Sequence, residues 1–352
     1  MESETKAVKR PGKSADVSKN RDGADKKGTV KDSKTSDKDD SQQTGGNPTP
    51  PKFGPMPRFP HQRVWTRAVM IIALLIVVYF TSKNGKEVPL ARQHEILHQR
   101  KQSLDCSDSY QIGSGAFSRW FSFLTSISGC VPDKCGRLIS DSLITVGEAQ
   151  AMLEIAKRGL NLGGSLGGAS ILDLHSGALS VGRTFINMYM TEKGKNIYRK
   201  SDFDTYKQVR MKIHRAVAQH FKVSPDVLYL THPTFFSRLT NLPPGTEHDE
   251  YWHPHVDKDT YKSFHYTSLL YLSDYGEDFD GGRFIFVDKD NVNSTVEPRK
   301  GRVSMFTSGK ENTHFVERVR SGTRFAMTIS FTCDPKHAIS DPNGKVIKRA
   351  PK

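Results

Sequence analysis

Between residues 227 and 333 the chain alternates apolar and polar side chains with a period of two, and this pattern narrows the fold more than any other. Such alternation marks a strand with one face in a core and the other turned away from it. It recurs at residues 227–230, 234–239, 264–272, 283–287, 302–307, 315–319 and 323–333, between turn signals such as Asp280-Gly281-Gly282 and Ser321-Gly322. Two helical patterns come first. Thr145-Val146-Gly147-Glu148 is a capping box opening a helix over residues 148–158 that Gly159 ends. Phe203, Tyr206, Val209, Ile213, Val217 and Phe221 recur at three- and four-residue steps, which predicts a core-facing stripe on a helix over residues 202–221 with Ser201 as its N-cap. Two helices followed by a run of strands predict an α+β domain over residues 138–335, its strands closing into a sandwich or barrel. The glycine-rich stretch at residues 161–170 lacks the Gly-Lys-Ser/Thr ending of a phosphate-binding loop and reads as a flexible loop.

One set of residues within the strand region implies specific chemistry. It opens with His255-Val256-Asp257 and closes with His314 and Arg324. On a strand His255 and Asp257 share a face, with Val256 turned to the core. Two imidazoles and one carboxylate hold Fe(II) on one side and leave other positions open, whereas a structural zinc site would recruit thiolates and close all of its positions. No Cys lies near these residues in the sequence. Arg324, ten residues past His314, shares the polar face of an otherwise apolar run with Thr328 and Ser330, and its guanidinium offers a two-pronged fork for a carboxylate. His253 would stand on the same face as His255, so a His253/His255 pair with Asp257 in support is an alternative; His232, His248 and His265 compete less strongly.

Tyr271-Leu272-Ser273-Asp274, Gly281-Gly282-Arg283-Phe284, Gly301-Arg302-Val303-Ser304-Met305-Phe306 and Gly322-Thr323-Arg324-Phe325-Ala326, in this order around the histidines, resemble successive strands of the prolyl 4-hydroxylase branch of the 2-oxoglutarate/Fe(II) oxygenases. The resemblance covers roughly residues 140–335. It implies a double-stranded β-helix, or jelly roll, with supporting helices and a metal at one open end. It also implies His255, Asp257 and His314 as the Fe(II) ligands, Arg324 as partner of the distal carboxylate of 2-oxoglutarate, and Tyr271 and Thr328 as hydroxyls around that cosubstrate. The implied reaction hydroxylates a C–H of a protein side chain, prolyl or lysyl, and converts 2-oxoglutarate and oxygen to succinate and carbon dioxide; family habit adds ascorbate. Two departures stand out. Collagen-type relatives carry Lys at the position of Arg324, and Arg238-Leu239-Thr240-Asn241-Leu242-Pro243-Pro244-Gly245 lacks the Tyr of the family's Arg-Tyr-x-Pro-Gly stretch. Two other classes compete: a β-helix binding protein without turnover, against which the intact ligand set weighs, and a zinc hydrolase with Glu247 or Glu250 as base, which would have no need of Arg324.

The rest of the chain differs in composition. Residues 1–63 hold almost nothing apolar and are expected to be a disordered basic tail. Asp37, Asp39 and Asp40 interrupt its lysines and no aromatics are interleaved, which argues against a nucleic-acid partner. Residues 64–82 are apolar on every face and are expected to be a single transmembrane signal-anchor; a cleavable signal would not follow so long a polar segment. Arg58, Arg63 and Arg67, before the uncharged run at residues 68–82, against Lys83, Lys86 and Glu87 after it, place the N-terminus in the cytosol and the catalytic domain in the lumen of the endoplasmic reticulum or Golgi. Cys106, Cys130, Cys135 and Cys333 all follow the span, where an oxidising lumen permits disulfides; Cys130 with Cys135 would close a small loop, and three pairings are open. Asn293-Ser294-Thr295 is a glycosylation sequon. Residues 83–137 read as a stalk, with a short polar helix over residues 95–101 and apolar residues 120–124 packing on the domain; residues 336–352 read as a fraying polar tail.

Overall fold

In the computed structural model of the chain, the described residues are 60–81, 87–107, 130, 132, 134–289 and 292–344. The tail at residues 1–59, the apolar residues 120–124 and residues 345–352 lie outside them. The chain order is α1 (Gln62–Thr81), β1 (Glu87–Ala91), β2 (Arg100–Leu104), β3 (Cys135–Ser140), α2 (Val146–Leu160), β4 (Gly164–Ser165), β5 (Ala169–Leu172), β6 (Ala178–Gly182) and β7 (Thr184–Asn187). It continues with α3 (Lys200–Phe221), β8 (Tyr229–Thr240), the single turn α4 (Asp257–Thr260), β9 (Tyr266–Tyr271), β10 (Phe279–Gly281), β11 (Phe284–Val287), β12 (Asn293–Val296), β13 (Val303–Thr307), β14 (His314–Val316) and β15 (Val319–Thr332).

The strands form two sheets. The larger runs β2-β3-β13-β9-β15-β8-β5-β6-β4, and the smaller runs β1-β12-β11-β14. From β8 onward the chain passes back and forth between them: β9, β13 and β15 join the larger sheet, while β11, β12 and β14 join the smaller. This is the winding of a jelly roll. Alternation along each strand then divides the core in two. Leu270 of β9, Val303 and Met305 of β13, and Met327, Ile329 and Phe331 of β15 face a large cluster with Met152, Ile155 and Ala156 of α2 and Tyr206, Val209, Ile213, Val217 and Phe221 of α3. Leu269 and Tyr271 of β9 and Phe306 of β13 point the other way, to a smaller cluster with Phe284, Phe286 and Val296 of the small sheet. The helices therefore brace one face of the large sheet, and the other is free to build a site.

The local signals act much as expected. Thr145 and Glu148 form the reciprocal capping box at the start of α2. The second helix begins two residues earlier than its sequence pattern indicates, with Arg199 rather than Ser201 at the cap position, because the Asp202 carboxylate takes the Arg199 N–H at 2.7 Å and pairs with Arg158. Four other expectations are corrected. Part of the presumed stalk belongs to the domain: β1 pairs in parallel with β12, and β2 pairs antiparallel with β3. The glycine-rich loop carries the short strand β4 and runs into β5, which pairs with β8. The C-terminal segment is docked as far as residue 344, with Ile339 N–H on the Leu230 carbonyl at 2.9 Å and Arg210 on Asp341 at 2.5 Å. Cys130 and Cys135 are not partners; the disulfides are Cys106–Cys135 and Cys130–Cys333.

Helix α1 is apolar around its circumference and exposed along its length. At 1.5 Å per residue its 20 residues extend about 30 Å, the thickness of a bilayer's hydrocarbon core.

Candidate metal centre

An antiparallel bridge makes the centre. His255 N–H donates to the His314 carbonyl at 2.9 Å and His314 N–H returns the bond at 3.0 Å, so the two residues stand opposite one another. Their ring centroids are 4.5 Å apart. Asp257 reaches the same place by another route than the shared strand face predicted. It is the first residue of α4, not a strand residue, because the chain turns after Val256. Asp257 Oδ1 lies 3.7 Å from His255 Nε2 and 3.6 Å from His314 Nε2, and the three donor atoms lie within 4.8 Å of one another.

Each donor is aimed by a second partner. The His255 Nδ1 is 3.0 Å from the His253 carbonyl and the His314 Nδ1 is 2.8 Å from the Asn312 carbonyl. A carbonyl only accepts, so both rings carry their proton on Nδ1 and leave the Nε2 lone pairs free, the usual arrangement behind a metal-binding imidazole. Thr267 donates to Asp257 Oδ2 at 2.6 Å, leaving Oδ1 to face the imidazoles. The His314 ring packs among Phe284, Phe286 and Phe306, and this burial holds it below its ordinary imidazole value, in the neutral form that binds metals. The His255 side chain is 44% exposed against 6% for His314, so the centre opens to solvent on the His255 side.

The same face of β9 that carries Thr267 carries Tyr271, about 13 Å along the strand. There Arg324 lies 1% exposed on β15, its Cζ 5.6 Å from the Tyr271 ring. Its Nε donates to the Gly282 carbonyl at 2.8 Å, but its Nη2 has no partner. Gly282 has φ +64°, and a Cβ there would stand 3.0 Å from Arg324 Cδ, so the glycine permits both the turn and the close approach. Tyr271 donates or accepts with Ser304 Oγ at 3.1 Å, and burial pushes its phenol up to about 12. Thr328 stands further along β15, opposite Leu269, on the face shared with Arg324. A buried guanidinium nitrogen without an acceptor is costly unless a ligand supplies one. A carboxylate fits that vacancy in chemistry and charge.

His253 is not drawn in: its ring pairs with Glu250 at 2.7 Å on the surface, and its contribution to the centre is the backbone carbonyl. His232 lies against Asp173, and the His265 ring faces the Ser263 carbonyl, both away from the triad. The sequence pattern did not single out Thr267, Asn312 or Tyr251. Thr267 had a faint signal, a hydroxyl at an inward position of β9; Asn312 acts through a carbonyl that every residue owns. Tyr251 accepts from Val319 N–H at 3.0 Å and lies within electrostatic reach of Arg324.

Comparison with known proteins agrees with this geometry. Residues 241–332 match the family described as the 2OG-Fe(II) oxygenase superfamily. The chain is 54% identical over 255 residues to 2-oxoglutarate and iron-dependent oxygenase domain-containing protein 3 of Xenopus tropicalis, a match covering 72% of this chain and 77% of that one. To the protein of the same name from Mus musculus it is 51% identical over 290 residues, covering 80% and 88%. Prolyl 3-hydroxylase 1 of Rattus norvegicus is 32% identical over 153 residues, 39% of this chain and 20% of that protein. The chain belongs to the family of 2-oxoglutarate and iron-dependent oxygenase domain-containing protein 3, and is thus an oxidoreductase that uses Fe(II) and 2-oxoglutarate.

Proposed function

We propose that this oxygenase is a single-pass membrane protein that hydroxylates a prolyl or lysyl C–H of a protein in the secretory lumen, with His255, Asp257 and His314 as its Fe(II) ligands. Arg324, with the Tyr271 ring near it, receives the distal carboxylate of 2-oxoglutarate, and Thr328, further along β15, adds a hydroxyl on the same face. One observation carries the site assignment: a converged His-Asp-His set, its His314 on β14 of the smaller sheet and its Asp257 held by Thr267 of β9, is matched on β15 of the larger sheet by a buried guanidinium with an unpartnered nitrogen. The similarity to prolyl 3-hydroxylase 1 supports a protein substrate.

The bound metal and 2-oxoglutarate supply the oxidising chemistry. The chain supplies placement. The carbonyls of His253 and Asn312 keep both Nε2 atoms turned inward, and Thr267 fixes the carboxylate. Phe284, Phe286 and Phe306 keep water from the His314 side, leaving the exposed His255 side for the substrate. Arg324 fixes the cosubstrate by a forked, charge-assisted contact in a place where water does not compete.

The anchor and the compartment rest on separate observations. Helix α1 has the length and uniform apolar surface of a span, and the positive flank before it directs the N-terminus to the cytosol. Both disulfides lie beyond it, as an oxidising lumen allows. Asn293, at the start of β12, would carry a glycan there, and ascorbate would serve as reductant.

Full-length protein in detergent, given Fe(II), ascorbate and limiting 2-oxoglutarate, is expected to release succinate; His255→Ala is expected to abolish the release and Arg324→Ala to reduce it about 100-fold. Succinate release by either variant at the wild-type rate would sink the site assignment. Protection of the catalytic domain from protease in sealed microsomes is expected, and its digestion there would reverse the topology.

A further inference from the structure

We propose that Arg137 and Asn312 are positioning residues for the metal centre, holding the turn whose Asn312 carbonyl fixes the His314 ring. The inference rests on His314 being a metal ligand. His314 Nδ1 meets that carbonyl at 2.8 Å, so the direction of Nε2 follows the tilt of one peptide group. The peptide belongs to a three-residue 3₁₀ turn at Lys310–Asn312, too short to fix itself. Its rigidity is supplied by side chains.

Asn312 is 1% exposed and spends its whole amide on this. Its Nδ2 donates to the Thr307 carbonyl at 2.8 Å and to Thr307 Oγ1 at 2.9 Å, and its Oδ1 accepts from Arg137 Nε at 2.6 Å. Arg137, also 1% exposed, grips the turn a second time through Nη2 on the Glu311 carbonyl at 3.2 Å. The same nitrogen reaches Asp288 Oδ1 at 2.7 Å, beyond the end of β11. The guanidinium lies 3.9 Å over the Phe286 ring, which in turn packs against His314. One side chain of β3 therefore ties together the turn, the small sheet and the aromatic wall around a single imidazole. A buried ion pair by itself is no better for stability than an apolar pair of the same volume. The fork at Arg137 has a geometric use that a lysine or a methionine does not reproduce.

The test uses full-length, disulfide-intact protein under anaerobic conditions, with Co(II) as a visible-spectrum probe of the metal site. Arg137→Lys and Asn312→Ala are expected to weaken Co(II) binding by about tenfold or more and to alter its d–d bands. Arg302→Lys, which disturbs an equally buried guanidinium bonded elsewhere, serves as the reference for lost stability: its melting temperature falls while its Co(II) affinity and spectrum stay those of wild type. Co(II) affinity within about twofold of wild type in both Arg137→Lys and Asn312→Ala would overturn the proposal, as would an equal loss in Arg302→Lys. His314→Ala separates this from the assignment beneath it. If that variant binds Co(II) as wild type does, His314 is not a ligand, whatever Arg137 does.

Discussion

Arg302 and Arg324 are the same residue at nearly the same burial, 0% and 1% exposed, and they are built for opposite ends. Arg302 is saturated. Its Nε and Nη2 hold the Asp141 carboxylate at 2.7 and 2.9 Å, Nη2 also reaches the Glu95 carbonyl at 2.7 Å, and Nη1 reaches the carbonyls of Arg92 and Glu297 at 3.0 and 2.8 Å. It fastens the segment between β1 and β2 to the large sheet. Arg324 has a single backbone acceptor for Nε, a tyrosine ring nearby and an Nη2 with none. Burial pushes its guanidinium down from its ordinary value, with no carboxylate to offset it. The partners of Arg302 are complete, whereas the unfilled donor of Arg324 is the group that the proposed contact with 2-oxoglutarate would satisfy.

The comparison breaks most readily at Arg302. Arg302→Met strands the buried Asp141 carboxylate and should cost about 3–5 kcal/mol, a fall in melting temperature on the order of 10 °C. A change below about 1 kcal/mol in thermal unfolding would mean the saturated network is not structural. Arg324→Leu should do the reverse: the melting temperature without cosubstrate holds or rises, while the KM for 2-oxoglutarate in succinate release climbs about 100-fold, near 3 kcal/mol. Arg324→Lys, which keeps the charge but loses the fork, should fall between, at about tenfold. Gly282→Ala sharpens the contrast without touching the charge. Its φ of +64° and the 3.0 Å approach to Arg324 Cδ predict a loss of about 1 kcal/mol in stability and a several-fold higher KM for 2-oxoglutarate, read in the same two assays. Tyr271→Phe should be mildest, removing the Ser304 contact at a cost of under about 1 kcal/mol in the KM.

The residues that carry donor chemistry were legible because their type and local spacing are the message. His255, Asp257 and His314 stand out as donor groups, and Arg324 as a cation, set among apolar strands, and the stripe from Tyr206 to Phe221 announces a helix. Residues that act through position did not. Asp257 sits on a helical turn that no period-two argument contains. Asn312 works through its carbonyl, and Arg137 reads as part of a stalk because nothing local connects it to a turn far along the chain. The same holds for β1, whose short polar stretch finds its partner only in β12, and for the cysteines, whose pairing is a property of the folded sheets. Local periodicity reports on a strand's faces and is silent about its neighbours.

The Cys130–Cys333 disulfide closes a loop of 203 residues by sequence separation. In topological terms, every strand from β3 to β15 lies on one covalent ring, and so do both histidines of the centre and Arg324. One protease cut anywhere on that ring opens it without releasing a fragment. A nicked enzyme would migrate as a single chain until reductant is added, and it is the second cut, or the loss of the disulfide, that takes the molecule apart.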